Sequence, residues 1–319
     1  MGKGESAIIL PPGALRFALA VVVMLAHYRY LDSPFDGVAV VGFFFLSGYW
    51  IARLWDFKYS RCSNPLLTFY LSRAWRIYPL AIIGLLAMLP LASFSWPALL
   101  PNFLLLPIAG WSINPPYWSL SVEMQFYLLA PLLLTLFRSH KLAAAILAVS
   151  VTGYVLFAFD LIWQSMAIGW LFAFVSGSIY ARSPKPAIIS RLAPYGLAFT
   201  ILIGASALYF EPSRATMRFM IFAGSMTFIP YVMASLTRPS GDLDRDIGNC
   251  AYPLYVIHQP IWSAATLLLI PIPAIIVMSI AATLMLYRFI DRPLEAARRR
   301  FVTSAFSPPI SFPAPALVP

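Results

Sequence analysis

The chain has 319 residues, of which 61% are hydrophobic and only 11% charged. Soluble domains carry about 25% charged residues, so this sequence cannot dress a globular surface for water, and a lipid bilayer is the solvent that suits it. Its formal net charge of +10 is spread between the apolar runs rather than gathered in one patch or stripe, which argues against a nucleic-acid partner.

A helix needs about 20 apolar residues to cross the hydrocarbon core. In chain order the pattern predicts spans at 13–31, 38–56, 76–94, 118–137, 141–159, 162–180, 191–210, 216–236, 249–268 and 271–290. The expected fold class is an all-α, polytopic membrane protein of about ten transmembrane helices. Lys3 and Arg16 flank the first apolar run as in a signal peptide, but His27 and Arg29 follow it at once and no small-x-small cleavage site is in place. The first span is therefore expected to be retained. The stretch 97–109 is apolar, short and broken by proline, which fits an interfacial or re-entrant piece. The tail over 301–319 is rich in Pro, Ser and Phe, including Pro308 and Pro309, and is expected to be poorly ordered after a single membrane domain over 1–300.

Lysine and arginine placement gives the orientation. With both termini in the cytosol, only Arg29, Arg214 and Arg218 fall outside, and the remaining basic residues, including Arg298, Arg299 and Arg300, fall inside. No internal repeat is visible, which weakens a transporter built from matched halves. Cys62 and Cys250 sit near the same side, so a structural disulfide is not expected. No Cys/His cluster has ligand spacing, and no metal site is expected.

Ionisable groups inside a bilayer are costly and usually face a bundle interior or a wet cavity. Arg16 and His27 share a face of the first span, about 16 Å apart. His27 suits a general base, or is a packed histidine bonded to a neighbouring helix, with Arg16 an interfacial anchor. Arg73 and Arg76, three apart at an expected helix start, suit a forked grip on phosphate or a positive-inside anchor. Glu123 has Ser119 and Tyr127 as its i±4 neighbours, forming a polar stripe. It either orients a histidine or pairs with an arginine for packing. Tyr252, Tyr255 and His258 form a polar, aromatic helix for a site or for interhelical bonding. Gly42–Gly48 reads as a packing seam. No nucleophile elbow, phosphate-binding loop or dinucleotide fingerprint appears.

Five segments in order carry a resemblance: Leu15-Arg16 with His27; Gly42-Phe43-Phe44-Phe45-Leu46-Ser47-Gly48; Arg73-x-x-Arg76-Ile77-Tyr78-Pro79; Trp118-Ser119-Leu120-Ser121-Val122-Glu123 leading to Phe126-Tyr127; and Tyr252-x-Leu254-Tyr255-x-x-His258. Together they resemble the bacterial membrane acyltransferase family 3, of the O-antigen and exopolysaccharide acetyltransferase type. The likeness is dense over about residues 14–131. It departs at Ala251, Met124 and Asp291-Arg292-Pro293, where the family often has Ser, an acid and Glu-x-Pro. The soluble hydrolase-like domain fused to some members has no counterpart in this sequence.

The resemblance implies an acyltransferase of the bacterial inner membrane. Its donor would be an acyl-CoA, usually acetyl-CoA, from the cytosol, and its acceptor a hydroxyl of a lipid-linked or exported glycan. In that picture Arg16, Arg73 and Arg76 hold the coenzyme A phosphates, and His27 is general base or transient acyl carrier. Glu123 orients His27, and Trp118, Ser119, Tyr127, Tyr255 and His258 contact substrate. The rivals are a multispan glycan or lipid transporter and a non-catalytic subunit of a polysaccharide export complex. A succinyl donor would need a further cation, for which Arg29 or Arg218 is placed.

Overall fold

The computed structural model describes residues 9–28, 34–107 and 112–305. Lys3, Arg29, Pro308 and Pro309 lie outside the described residues. Among the described residues, the regular structure is helical: α1 (Pro12–His27), α2 (Phe35–Phe57), α3 (Pro65–Met88), α4 (Trp96–Phe103), α5 (Trp118–Leu136), α6 (His140–Ala158), α7 (Leu171–Arg182), α8 (Ala187–Phe210), α9 (Arg214–Ser235), α10 (Asp242–Asn249), α11 (Ala251–Leu267), α12 (Ile272–Leu286) and α13 (Arg292–Ser304).

Each predicted span holds a helix, but length separates them. Among the described residues seven stretches, those of α2, α3, α5, α6, α8, α9 and the run from α12 through α13, are long and apolar enough to cross a membrane. The other three, α1, α7 and α11, have 16, 12 and 17 residues, short of the ~20 that a span needs alone. α7 is short because α6 ends at a left-handed Asp160 (φ 59°) and the chain turns through a 3₁₀ turn at Ala167–Gly169 before re-entering helix. The segment 97–109 contributes the short α4.

α3 starts eleven residues earlier than the pattern predicts. Asn64 caps it, its side chain accepting from the Leu67 amide at 3.2 Å, and Pro65 occupies the first helical position. Hydropathy hid this start because the early turns carry Thr68, Ser72 and Arg73, all of them buried inward. At the other end of the chain, a π-helical segment at Tyr287–Asp291 joins α12 to α13, which continues past the expected boundary at 301 to Ser304.

α2 is the central post. It packs against α1, α5, α7 and α9, and it is buried on nearly every side, as expected of a helix apolar all round. Contact with α7 depends on two glycines. A Cβ on Gly48 would strike the Phe174 backbone, and one on Gly177 would strike the Phe45 carbonyl, the close approach that small residues permit between membrane helices. Gly48 thus fits the expected packing seam. The outer helices expose large apolar side chains such as Leu202, Val277 and Phe289, a surface that requires lipid.

α1 is fixed at both ends. Its first amides, orphaned as in any helix, are taken by α10: Gly13 N–H donates to Asp244 Oδ2 (3.0 Å) and Ala14 N–H to Asp244 Oδ1 (2.7 Å). At its far end, the fully buried Tyr28 donates to the His258 carbonyl (3.0 Å), bonds Ser279 Oγ (2.6 Å) and stacks on Trp262. These anchors set where Arg16 and His27 stand.

Candidate active site

Two cavities lie at opposite ends of the bundle. The first, of about 380 Å³, is lined by Arg16 at the start of α1, the second half of α2, Arg73 and Arg76, Glu123 and Tyr127, and Arg298 and Arg299 of α13. The second, of about 690 Å³, is lined by His27 at the end of α1, Asp36 at the start of α2, Trp118, Trp170, and Arg214 and Arg218. Val40 and Tyr255 line both, so the two chambers share a wall.

In the first cavity, Arg73 and Arg76 do not stand at a helix start as expected. They lie more than two turns inside α3, and their surroundings differ. Arg76 donates to Asp291 Oδ1 at 2.7 Å and lies over the Tyr252 ring. Arg73 is 7% exposed, donates to Tyr59 Oη at 2.8 Å, sits between the Tyr59 and Tyr127 rings, and leaves its Nε without a partner. Among the described residues no carboxylate pairs directly with this guanidinium, a buried cation without an ion pair is costly, and an anion entering this chamber would relieve it. The Arg16 guanidinium lines the same chamber, and the charges of Arg76 and Glu123 act on it.

Glu123 occupies a different place from the one expected. Its Oε1 accepts from Tyr127 Oη at 2.5 Å and Ser47 Oγ at 2.8 Å, and it lines the first cavity, not that of His27. It therefore does not orient His27; the i,i+4 tie to Tyr127 and the crossing of α2 fix it elsewhere. Ser47, read only as part of a packing seam, holds this carboxylate.

The partner of His27 is His258. The two rings approach at Nδ1 of His27 and Nε2 of His258, 3.2 Å apart, and His258 Nδ1 lies 3.1 Å from the Leu254 carbonyl. A carbonyl only accepts, so with both rings neutral the His258 proton sits on Nδ1 and its Nε2 accepts. His27 then donates from Nδ1, and its Nε2 carries the lone pair. His258 is fully buried and lines neither cavity, so the substrate contact expected of it gives way to a place behind His27. The carboxylate whose charge acts on the His27 ring is Asp36, which lines the same cavity.

The dividing wall is braced. Tyr255 Oη donates to the Pro116 carbonyl (2.7 Å) and bonds Ser119 Oγ (2.6 Å). Pro260 in α11 leaves the Val256 carbonyl without its helical donor, and Asn114 Nδ2 supplies one at 3.4 Å. Trp118 faces the second cavity beside Trp170, ring centroids 5.1 Å apart, while Ser119 and Tyr127 face the first.

Comparison with known proteins decides the family. Residues 12–288 match the family described as the acyltransferase domain, the acyltransferase 3 family. The chain belongs to it. A curated relative, the peptidoglycan O-acetyltransferase OatA of Listeria monocytogenes serovar 1/2a, is 25% identical over 348 aligned positions, covering 87% of this chain and 54% of that protein. The chain thus spans about half the length of the curated relative it matches. No solved structure matches.

In this acyltransferase, four contributors to the two chambers carried no local signal. Asp36, Trp170, Arg298 and Arg299 reach them only through the fold. The two arginines of α13 read as orientation markers, and they lie beyond the matched residues.

Proposed function

We propose that this acyltransferase is a membrane O-acyltransferase. It moves an acyl group, acetyl in the simplest case, from acyl-CoA in the first cavity to a glycan hydroxyl in the second. The observation that carries the reading is the shared wall: an arginine-lined chamber and a chamber holding a histidine pair meet at Val40 and Tyr255. The membrane topology that goes with it has ten crossings, both termini cytosolic, in the bacterial cytoplasmic membrane. Five arginines line the first chamber, which suits a polyanionic nucleotide donor. Trp118 offers a flat apolar face to a sugar ring, with the buried Trp170 packed against it, and Asp36 and Gln164 offer hydrogen-bonding groups around it.

In this mechanism the thioester end of the donor reaches across the shared wall at Val40 and Tyr255, and the acceptor hydroxyl oxygen attacks its carbonyl as His27 Nε2 takes the proton. The C–S bond breaks, and the thiolate of coenzyme A leaves as the second product. The proton on Nδ1 stays with the His27–His258 bond, and Asp36 stabilises the imidazolium. Keeping the thioester in a chamber away from bulk water limits hydrolysis. A transfer in which His27 carries the acetyl group transiently uses the same nitrogen.

The test is direct. Purified protein in lipid nanodiscs is incubated with labelled acetyl-CoA and extracted cell-envelope glycan, and O-acetyl ester is measured by mass. Ester formation that His27→Ala lowers by about 10²–10⁴ is expected. A transporter or a structural subunit yields no ester, and full activity in His27→Ala rejects the role of the ring.

A further inference from the structure

The geometry points to α13, the helix after the matched region, as the site that grips the 3′-phosphate of the coenzyme A donor, through Arg299 with Arg298 beside it. This rests on the acyl-CoA reading of the first cavity. The pantetheine arm of the donor is uncharged and leads to the thioester, so the reacting end belongs at the deep wall formed by Tyr255 and Ser119. The charged nucleotide end belongs at the mouth. Coenzyme A carries two separate anionic groups there, a pyrophosphate bridge and a phosphomonoester on the ribose. The deeper arginines, Arg16 and the counter-charge-poor Arg73, are placed for the first. The second, bearing close to two charges, needs another donor set.

α13 supplies it. Glu295 draws both arginines together: Oε1 and Oε2 accept from Arg298 Nη2 (2.6 Å) and Nε (2.8 Å), and Oε1 also accepts from Arg299 Nε (2.9 Å). Arg298 spends its remaining fork on Ser72 Oγ (2.7 Å), which ties α13 to α3. Arg299 is different. Among the described residues only its Nε is engaged, and its side chain is 63% exposed while lining the cavity. Its two terminal nitrogens form the planar fork that matches two phosphate oxygens. The helix is held in place by Arg76–Asp291, by Trp75 stacked on Phe301 and by Ser63 N–H donating to the Ala305 carbonyl. The fork is therefore positioned before the donor arrives. Arg300, the next residue, is exposed and does not line the cavity, which provides a control with the same loss of charge.

The experiment measures binding of coenzyme A and of 3′-dephospho-coenzyme A to the full-length protein in nanodiscs, by calorimetry, for the wild type, R299A and R300A. The expected result is a loss of about tenfold in coenzyme A affinity in R299A, little change in dephospho-coenzyme A affinity, and no change in R300A. Equal weakening of both ligands in R299A, equal weakening by R300A, or unaltered coenzyme A binding in R299A would each overturn the assignment. If the wild type binds neither ligand, the acyl-CoA reading itself fails, which is a different outcome from the wild type binding coenzyme A with R299A indistinguishable from it. R299K, which keeps the charge and loses the fork, is expected to recover only part of the affinity. Full recovery would reject the forked contact.

Discussion

A single nitrogen decides what the histidine pair can do. Because the Leu254 carbonyl fixes the proton of His258 on Nδ1, His258 has only a lone pair to offer His27, and the nitrogen of His27 that the proposed transfer uses is Nε2. In the proposed mechanism His258 is thus a positioning residue, comparable in role to the carboxylate behind a hydrolase histidine. His258→Leu removes the ring that His27 Nδ1 meets at 3.2 Å. It is expected to lower kcat about a hundredfold with the donor KM unchanged, because the first cavity is untouched. His258→Gln, whose amide oxygen can accept, is expected to retain more activity than His258→Leu. Steady-state kinetics on the three proteins checks both, and a change confined to donor KM would sink the relay.

At the scale of helices, buried charge and close packing hold the chambers open. Asp291, at the junction of α12 and α13, neutralises Arg76 on α3 in a largely buried pair. Asp291→Ala strands the guanidinium, and loss of one partner of such a pair costs about 3–5 kcal/mol. The expected outcome is a lowered Tm, with part of the loss recovered in the double variant Arg76→Met/Asp291→Ala. The α1 cap works through a borrowed carboxylate. Asp244→Ala exposes two amides that Asp244 now satisfies and is expected to cost about 1–2 kcal/mol. Because Arg16 rides on that first turn, donor KM should rise as well, and a variant that loses stability with donor KM unchanged would detach Arg16 from donor binding. Gly48→Val forces α2 and α7 apart and is expected to abolish folded protein, read as a loss of the monodisperse peak in size-exclusion chromatography.

For the whole molecule, the decisive property is that the cavities open toward opposite ends of one bundle. The proposed orientation puts α13 in the cytosol and the start of α9 outside. Cysteines introduced as Arg300→Cys and Arg214→Cys are therefore expected to react with an impermeant thiol reagent from opposite faces of sealed vesicles. The native Cys62 and Cys250 are buried and give a low background. Labelling of both from one face would remove the directional account of donor and acceptor.

The membrane character, the helical class and the order of the helices are legible along the chain, as are ionisable residues that line the chambers, for a physical reason. Hydropathy is a sum over neighbours in sequence, and intramembrane ionisable residues stand out against it wherever they fall. Arg16, His27, Arg73, Arg76 and Glu123 were visible in this way, and all line one of the two chambers. What could not be read is which of them meet. Along the chain Glu123 reads either as orienting a histidine or as pairing with an arginine, whereas the fold ties it to Tyr127 and Ser47, crosses α1 with α11 and brings His258 to His27 from 231 residues away. α3 began earlier than its apolar core because a cap and inward polar residues do not register in a hydropathy average. Likewise, the arginines of α13 are indistinguishable in sequence from topology markers; it is the π-helical junction at Tyr287–Asp291 that carries them to the mouth of a cavity. Local composition determines the solvent, the helices and the inventory of reactive groups, while pairing and cavity walls depend on contacts distant in sequence, which only tertiary packing decides.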